Sequence, residues 1–409
     1  MTTPSLDILG IGNAIVDVLA RAEDAFLAEH GMAKGGMALI GTDQAEAIYA
    51  AMGPGIEGSG GSAANTCAVA AGLGARVGYL GKVADDALGK VFRHDITAAG
   101  VHFPTPPLVG GAPTARCLIL VSPDGQRTMN TFLGACVTFG EADLDPAAIA
   151  SARIVYLEGY LFDPPAAQAA FRAAARIAHQ AGRQVAITLS DPFCVGRHRA
   201  AFRAFIQEEA DIVFANEAEI CALYETDDFE HAAQAVRAEV AIAALTRSEK
   251  GSVIIAGSET HSVRAEPTKL VDSTGAGDAY AAGFMAALTR GLPLPECGRW
   301  GSIAAAEVIS HFGARPQADL AALVGAKSGG VASNAVMTAS QICWTGSARA
   351  SATCAWLISV SLGTPLSRSR PRIAMAAPRP SSGMRAVPIV VLMRSAVASP
   401  TKRLCWRRR

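Results

Sequence analysis

Between residues 154 and 246 short, mostly apolar runs alternate with longer stretches whose apolar residues recur at helical spacing. The pattern predicts strands at 154–158, 184–189, 211–214 and 241–246. It predicts helices at about 165–181, 198–209, 216–224 and 229–238. Mostly apolar strands alternating with helices suit burial on both faces, so the chain is expected to form a mostly parallel sheet with helices on each side, a doubly wound α/β fold. Leu6 to Gly12 reads as another buried strand, residues 77–83 as a further one, 87–99 as a helix, and 252–263 as a strand pair. Residues 59–74 read as a glycine turn entering a helix of small residues. Different in kind are 116–121 and 127–133, which Ser122-Pro123-Asp124-Gly125 joins as a hairpin, predicting a small separate sheet.

Composition adds limits. A chain of 409 residues that is 50% hydrophobic can bury a large core. The formal net charge of zero hides an asymmetry: residues 331–409 hold 12 of the 36 Lys and Arg and no Asp or Glu, leaving 24 basic against 36 acidic residues before them. An acidic body does not point to nucleic acid. The nine cysteines occur singly, with no metal-ligand spacing. The N-terminus lacks a signal-peptide pattern and no apolar run reaches the roughly 18 residues of a membrane span, so a cytoplasmic protein with no membrane partner is expected. Beyond Gly330 periodicity is lost; residues 331–409 read as a basic, low-order extension without selected function, the alternative being a nucleic-acid or membrane arm.

The chemistry concentrates in Asp272-Ser273-Thr274-Gly275-Ala276-Gly277-Asp278, which runs into an apolar helical pattern. Free N–H groups and the dipole at a helix start attract an anion, and Gly275 and Gly277 let it approach the backbone. Asp278 would repel a bound phosphate unless its task is to take a proton from a hydroxyl that attacks the phosphate; otherwise it is an ordinary first-turn acid. Asp272 and Thr274 add oxygen ligands beside the same turn. Gly60, Gly61 and Asn65 have the equipment to grip a polyol, or else form a tightly packed, capped helix start. Asp17 follows the first strand and reads either as an acceptor for substrate hydroxyls or as a solvated turn residue. Asn216 and Glu219 have capping-box spacing, and only a neighbouring phosphate would make Glu219 a ligand to magnesium through water. Gly10-x-Gly12 lacks the third glycine of a dinucleotide fingerprint, and no Walker A pattern occurs.

With these residues in hand, about residues 5–325 resemble the ribokinase-like (PfkB) carbohydrate and nucleoside kinases. One family signature is similar to Gly60-Gly61-Ser62-Ala63-Ala64-Asn65 through Gly81 to Gly89, the other to Asp272 through Phe284. Within the family, Gly12-Asn13-Ala14-Ile15-Val16-Asp17 and residues 125–135 are most similar to adenosine kinases. The resemblance implies a three-layer fold with a small β-sheet lid, mainly residues 14–50 and 101–133. It implies ATP and Mg2+, and K+ at Asp272 and Thr274. Asp278 would be the base, the Gly275, Ala276 and Gly277 amides the anion hole, and Arg127 a lid arginine over the transferring phosphate. Asn13, Asp17, Gly60, Gly61 and Asn65 would hold substrate, with Ile15 and Phe132 as an apolar slot for a base. Asn216, Glu219, Thr246 and Gly251 would serve ATP, with Arg247 and Ser248 departing from the small pair usual there. The implied reaction phosphorylates a primary hydroxyl of a ribose-containing molecule, adenosine to AMP, by a monomer or homodimer. The alternatives are a free-sugar kinase and a non-catalytic nucleotide or sugar sensor.

Overall fold

β1 (Leu6–Ile11) lies inside a nine-stranded sheet that the chain leaves and rejoins twice. β2 (Ile15–Arg21), β3 (Met37–Leu39) and β4 (Ile56–Gly60) belong to a second sheet, whereas β5 (Val77–Leu80) and β6 (Val101–His102) return to the first. After β7 (Ala115–Val121) and β8 (Arg127–Phe132), again in the second sheet, the main sheet is completed by β9 (Ala152–Glu158), β10 (Gln184–Thr188), β11 (Ile212–Asn216), β12 (Ile242–Thr246), β13 (Ser252–Ala256) and β14 (Glu259–Val263). The order is β14-β13-β12-β11-β10-β9-β1-β5-β6, parallel from β12 to β6, with β13 and β14 antiparallel at one edge. This computed structural model describes residues 4–328, so the expectations for residues 331–409 lie outside it.

The apolar runs are explained by two cores. Along β1 and β9, Ile8, Ile154 and Tyr156 point into one, shared with helices Ser62–Gly72, Ala276–Leu288 and Leu294–Val308; Leu9, Ile11, Val155 and Leu157 point into the other, against helices Pro165–Gln180 and Pro192–Glu208. The last of these begins at Pro192, earlier than the predicted 198. Asp191 caps it by accepting from the Cys194 amide, and non-helical backbone at His198 breaks the periodicity from which its start was read.

The small sheet has the order β3-β8-β7-β2-β4. It departs from the expected 14–50 and 101–133 at both ends: β4 is an added edge at 56–60, while Val101 and His102 pair with β5 in the main sheet. Nothing in Ile-Glu-Gly-Ser-Gly marks a strand, and pairing with β2 makes it one. The register places Asp17 opposite Cys117 and Cys117 opposite Thr131, so these share a face with Ile15 and Arg127. Phe132 pairs with Arg116 and therefore points to the other face.

Candidate active site

The order of strands reverses between β1 and β9, which opens a crevice at their carboxyl ends. Asn13 follows β1 there and Glu158 ends β9. Glu158 accepts from Asn13 Nδ2 (2.8 Å), from the Asn13 amide (3.3 Å) and from the Ala63 amide (2.8 Å). Burial pushes its carboxyl up to about 7 against these bonds. Sequence reasoning passed over Glu158; the available signal was a carboxylate ending a predicted parallel strand.

Asp17 is not the solvated turn residue that remained open from the sequence. It sits within β2, facing the crevice, and burial pushes its carboxyl up to about 6 while Arg315 and Arg127 pull it down. Gly60 and Gly61 make this approach possible. A Cβ at Gly60 would lie 2.3 Å from the Asp17 carboxylate, and one at Gly61, where φ is +91°, would lie 2.1 Å from the Asn13 carbonyl oxygen. The two glycines thus bring Asn13 and Asp17 onto the turn that leads from β4 into helix Ser62–Gly72.

That helix faces the start of helix Ala276–Leu288. Ser62 Oγ donates to Asp278 (2.6 Å) and Asn65 Nδ2 reaches it at 3.5 Å. Burial pushes the Asp278 carboxyl up to about 6, opposed by Ser62, Asn65 and the charge of Arg315. Ser62 was not among the expected site residues. Before Asp278 the backbone turns at Gly275, whose φ of +76° and contact with Ala314 admit no side chain, whereas a Cβ on Gly277 would meet nothing within 4 Å. Open space beside Gly277 at a helix start suits a phosphate oxygen, although the Ala276 amide here donates to the Ser273 carbonyl at 3.3 Å.

Arg127 reaches this turn from the lid. Its guanidinium donates to Thr274 Oγ1 (3.1 Å), pairs with Asp272 (2.5 Å) and lies over the Phe312 ring at 5.2 Å. Asp272 also accepts from the Thr274 amide and hydroxyl and from the Gly313 amide. At Asp272 and Thr274, where a monovalent cation is expected, protein donors and a guanidinium lie on the carboxylate. The expected slot of Ile15 and Phe132 is likewise divided between two faces of the sheet. Phe132 instead borders, at the end of its strand, a recess of about 290 Å³ with Leu39, Ile40, Leu133 and Val137.

Residues 55–320 match the family described as pfkB family carbohydrate kinase. The chain belongs to this family. Like its other members, this kinase is an ATP-dependent phosphotransferase. The crystal structure of adenosine kinase from Sinorhizobium meliloti is 52% identical, covers 78% of this chain and 98% of its own, and superposes with a TM-score of 0.72. A probable sugar kinase from Rhizobium etli is 47% identical, covers 80% and 99%, and has a TM-score of 0.75. The ATP-dependent ribose-1-phosphate kinase of Halopiger xanaduensis is 33% identical over 56% of this chain and 73% of its own.

At the carboxyl end of β11, Asn216 and Glu219 form the expected capping box, with Asn216 Nδ2 donating to Glu219 at 2.6 Å. Burial pushes Glu219 up to about 7, opposed by the Asn216 amide. Thr246 ends β12, and Gly251, at φ +89°, closes the loop against the Val263 carbonyl. Between them Arg247 pairs with Glu217 and stacks 3.9 Å from the Phe229 ring, so it packs the loop wall. Among the described residues no three acidic, His or Cys side chains converge as a metal site. Asp191 and Asp278 lie near enough to raise Glu219 further, and a carboxylate in this setting would fit Mg2+ carried chiefly by nucleotide phosphates, Glu219 holding one of its waters. No helix among the described residues is long and apolar enough to cross a membrane.

Arg127→Ala is expected to lower kcat about 10- to 100-fold while moving the acceptor KM less than about threefold, because the guanidinium acts on charge that grows in the transition state. Steady-state kinetics decide this, and a change confined to KM removes Arg127 from the role.

Proposed function

We propose that the kinase phosphorylates the primary hydroxyl of a ribonucleoside, adenosine first, with ATP as donor. Asn13, Asp17, the Gly60-Gly61 backbone and Asn65 hold the ribose hydroxyls, and Asp278 takes the proton from the attacking hydroxyl. The amides of Gly275, Ala276 and Gly277 receive the transferring phosphoryl oxygens. Magnesium, when bound, neutralises the phosphate charge, with Glu219 orienting one of its waters. Thr246 and Gly251 border the nucleotide.

The apolar recess carries the choice of substrate. Thr131 lies on the Asp17 face of the lid, two strands away at about 4.8 Å per strand, and also lines the recess with Leu39, Phe132, Leu133 and Val137, so Phe132 borders a base placed there even though it does not share a face with Ile15. A flat base attached to ribose would cover these side chains, whereas a free sugar leaves them wet. The likeness to the adenosine kinase from Sinorhizobium meliloti supports the same choice.

Specificity constants for adenosine, other nucleosides, ribose, fructose and 2-keto-3-deoxygluconate test it. Adenosine is expected to lead the free sugars by at least about 100-fold, the worth of burying a few apolar groups. A free sugar in the lead overturns the substrate and leaves the kinase chemistry intact. Binding without turnover of any acceptor would mean a sensor.

A further inference from the structure

Three consecutive residues in the loop after helix Leu294–Val308 touch both halves of the site. The Gly313 amide donates to Asp272 (2.9 Å), and Ala314 packs against Gly275 at the start of the anion turn. Arg315 reaches the other way. Its Nη2 donates to the Ser59 carbonyl (2.8 Å) and to Ser59 Oγ (2.9 Å), and Ser59 in turn donates its amide and hydroxyl to Asp95 (2.7 and 2.5 Å). The Arg315 Nε is shut off from solvent and meets no acceptor. Pro316 follows directly and restricts the Arg315 backbone to extended conformations.

Ser59 is where this grip matters. The next residues are Gly60, which makes room for the Asp17 carboxylate, Gly61, which abuts Asn13, and Ser62, which donates to Asp278. A displacement of Ser59 moves every group proposed to hold the acceptor. The guanidinium also brings positive charge into a crevice that gathers Asp17, Glu158 and Asp278.

We propose that Arg315 is a positioning residue for the acceptor: it fixes the Ser59–Ser62 turn and supplies permanent positive charge beside Asp17 and Asp278. This rests on the roles given to those two aspartates above. Because Gly313 and Ala314 still anchor the loop without it, the ATP side is left in place when Arg315 is changed. The charged groups that bear on Asp278 are Asp17 from the lid, Glu158 from β9, Glu219 beyond β11 and Arg315 itself, and two tyrosines, Tyr156 and Tyr160, held neutral by burial, face it as well. Arg315 opposes the three carboxylates, so its loss raises the pH at which Asp278 becomes a base.

The test compares the full-length chain with Arg315→Gln and Arg315→Lys, using adenosine, or ribose or fructose if one of these proves the better acceptor. Arg315→Gln is expected to raise the acceptor KM at least about tenfold, to leave the ATP KM within about twofold, and to move the acid limb of kcat/KM up by about one pH unit. Arg315→Lys keeps the charge but not the forked geometry, so the acid limb should stay while the acceptor KM rises. If the Gln variant does not fold, the Lys variant decides alone: an unchanged acceptor KM overturns the proposal. Equal rises in both KM values with an unmoved acid limb overturn it too, since a merely structural arginine would act in that way. Asp278→Asn keeps the two readings apart. Loss of turnover there with unaltered kinetics in Arg315→Gln defeats Arg315 alone. Full turnover there removes Asp278 as base, and the split between acceptor and ATP KM in Arg315→Gln then decides the positioning role.

Discussion

Asp278→Asn is expected to lower kcat by about 100- to 10,000-fold, the usual worth of a positioned general base, with the ATP KM nearly unchanged. The same variant should be more stable than the parent. Burial holds the native Asp278 carboxyl at about 6, above its ordinary 3.8, so between those values the folded chain keeps a proton that the unfolded chain has lost. Stability therefore falls as pH rises through this window, and above about 6 the full cost of a buried carboxylate is present, up to about 3 kcal/mol for a shift of about two units. Asparagine removes that cost while its carbonyl still accepts from Ser62. Thermal unfolding at pH 5 and pH 8 should show the stabilisation growing towards pH 8. For the parent, kcat/KM should decline as pH falls below about 6, because the base must be ionised to act. Undiminished turnover in a folded Asp278→Asn protein would dismiss Asp278 from the chemistry.

The second large effect is expected at the anion turn, where two glycines separate fold from function. Gly275→Ala forces a side chain into left-handed backbone and drives its Cβ to 2.7 Å from Ala314. Strain and overpacking together should cost about 2–4 kcal/mol, and displaced amides should lower kcat by about 100-fold or more. Gly277→Ala differs in kind. Its Cβ meets nothing, and alanine is the better helix former by about 0.5–1 kcal/mol, so the protein should fold at least as well. If the vacant space there belongs to a phosphate oxygen, the ATP KM should nevertheless rise about tenfold or more. Thermal melts and ATP titrations on both variants check the pair. Normal ATP affinity in Gly277→Ala would place the phosphate elsewhere.

Local rules made much of this protein legible from its sequence. Continuous apolar runs fixed the buried parallel strands because burial on both faces leaves no polar position, and Ser122 to Gly125 predicted the hairpin because a turn needs its glycine, here at φ +83°. The anion turn was legible as a candidate for a related reason: two glycines and a carboxylate meet at a predicted helix start. Asn13, Asp17 and Asp278 could be singled out because their neighbours in sequence carry the pattern. What the sequence left undetermined was every relation across distance. Glu158 serves Asn13 from 145 residues away, and Arg315 reaches Ser59 across 256, so neither carries a local mark of its partner. β4 has no strand composition and exists through pairing with β2. Phe132 was assigned to a slot with Ile15, but only the register between β7 and β8 could show that the two point to opposite faces, since each strand position alternates and one residue of shift reverses the answer. Asp272 looked like a cation ligand from its neighbours alone. The tertiary structure brought Arg127 and Gly313 to it, donors from distant parts of the chain that no neighbour of Asp272 in sequence announces.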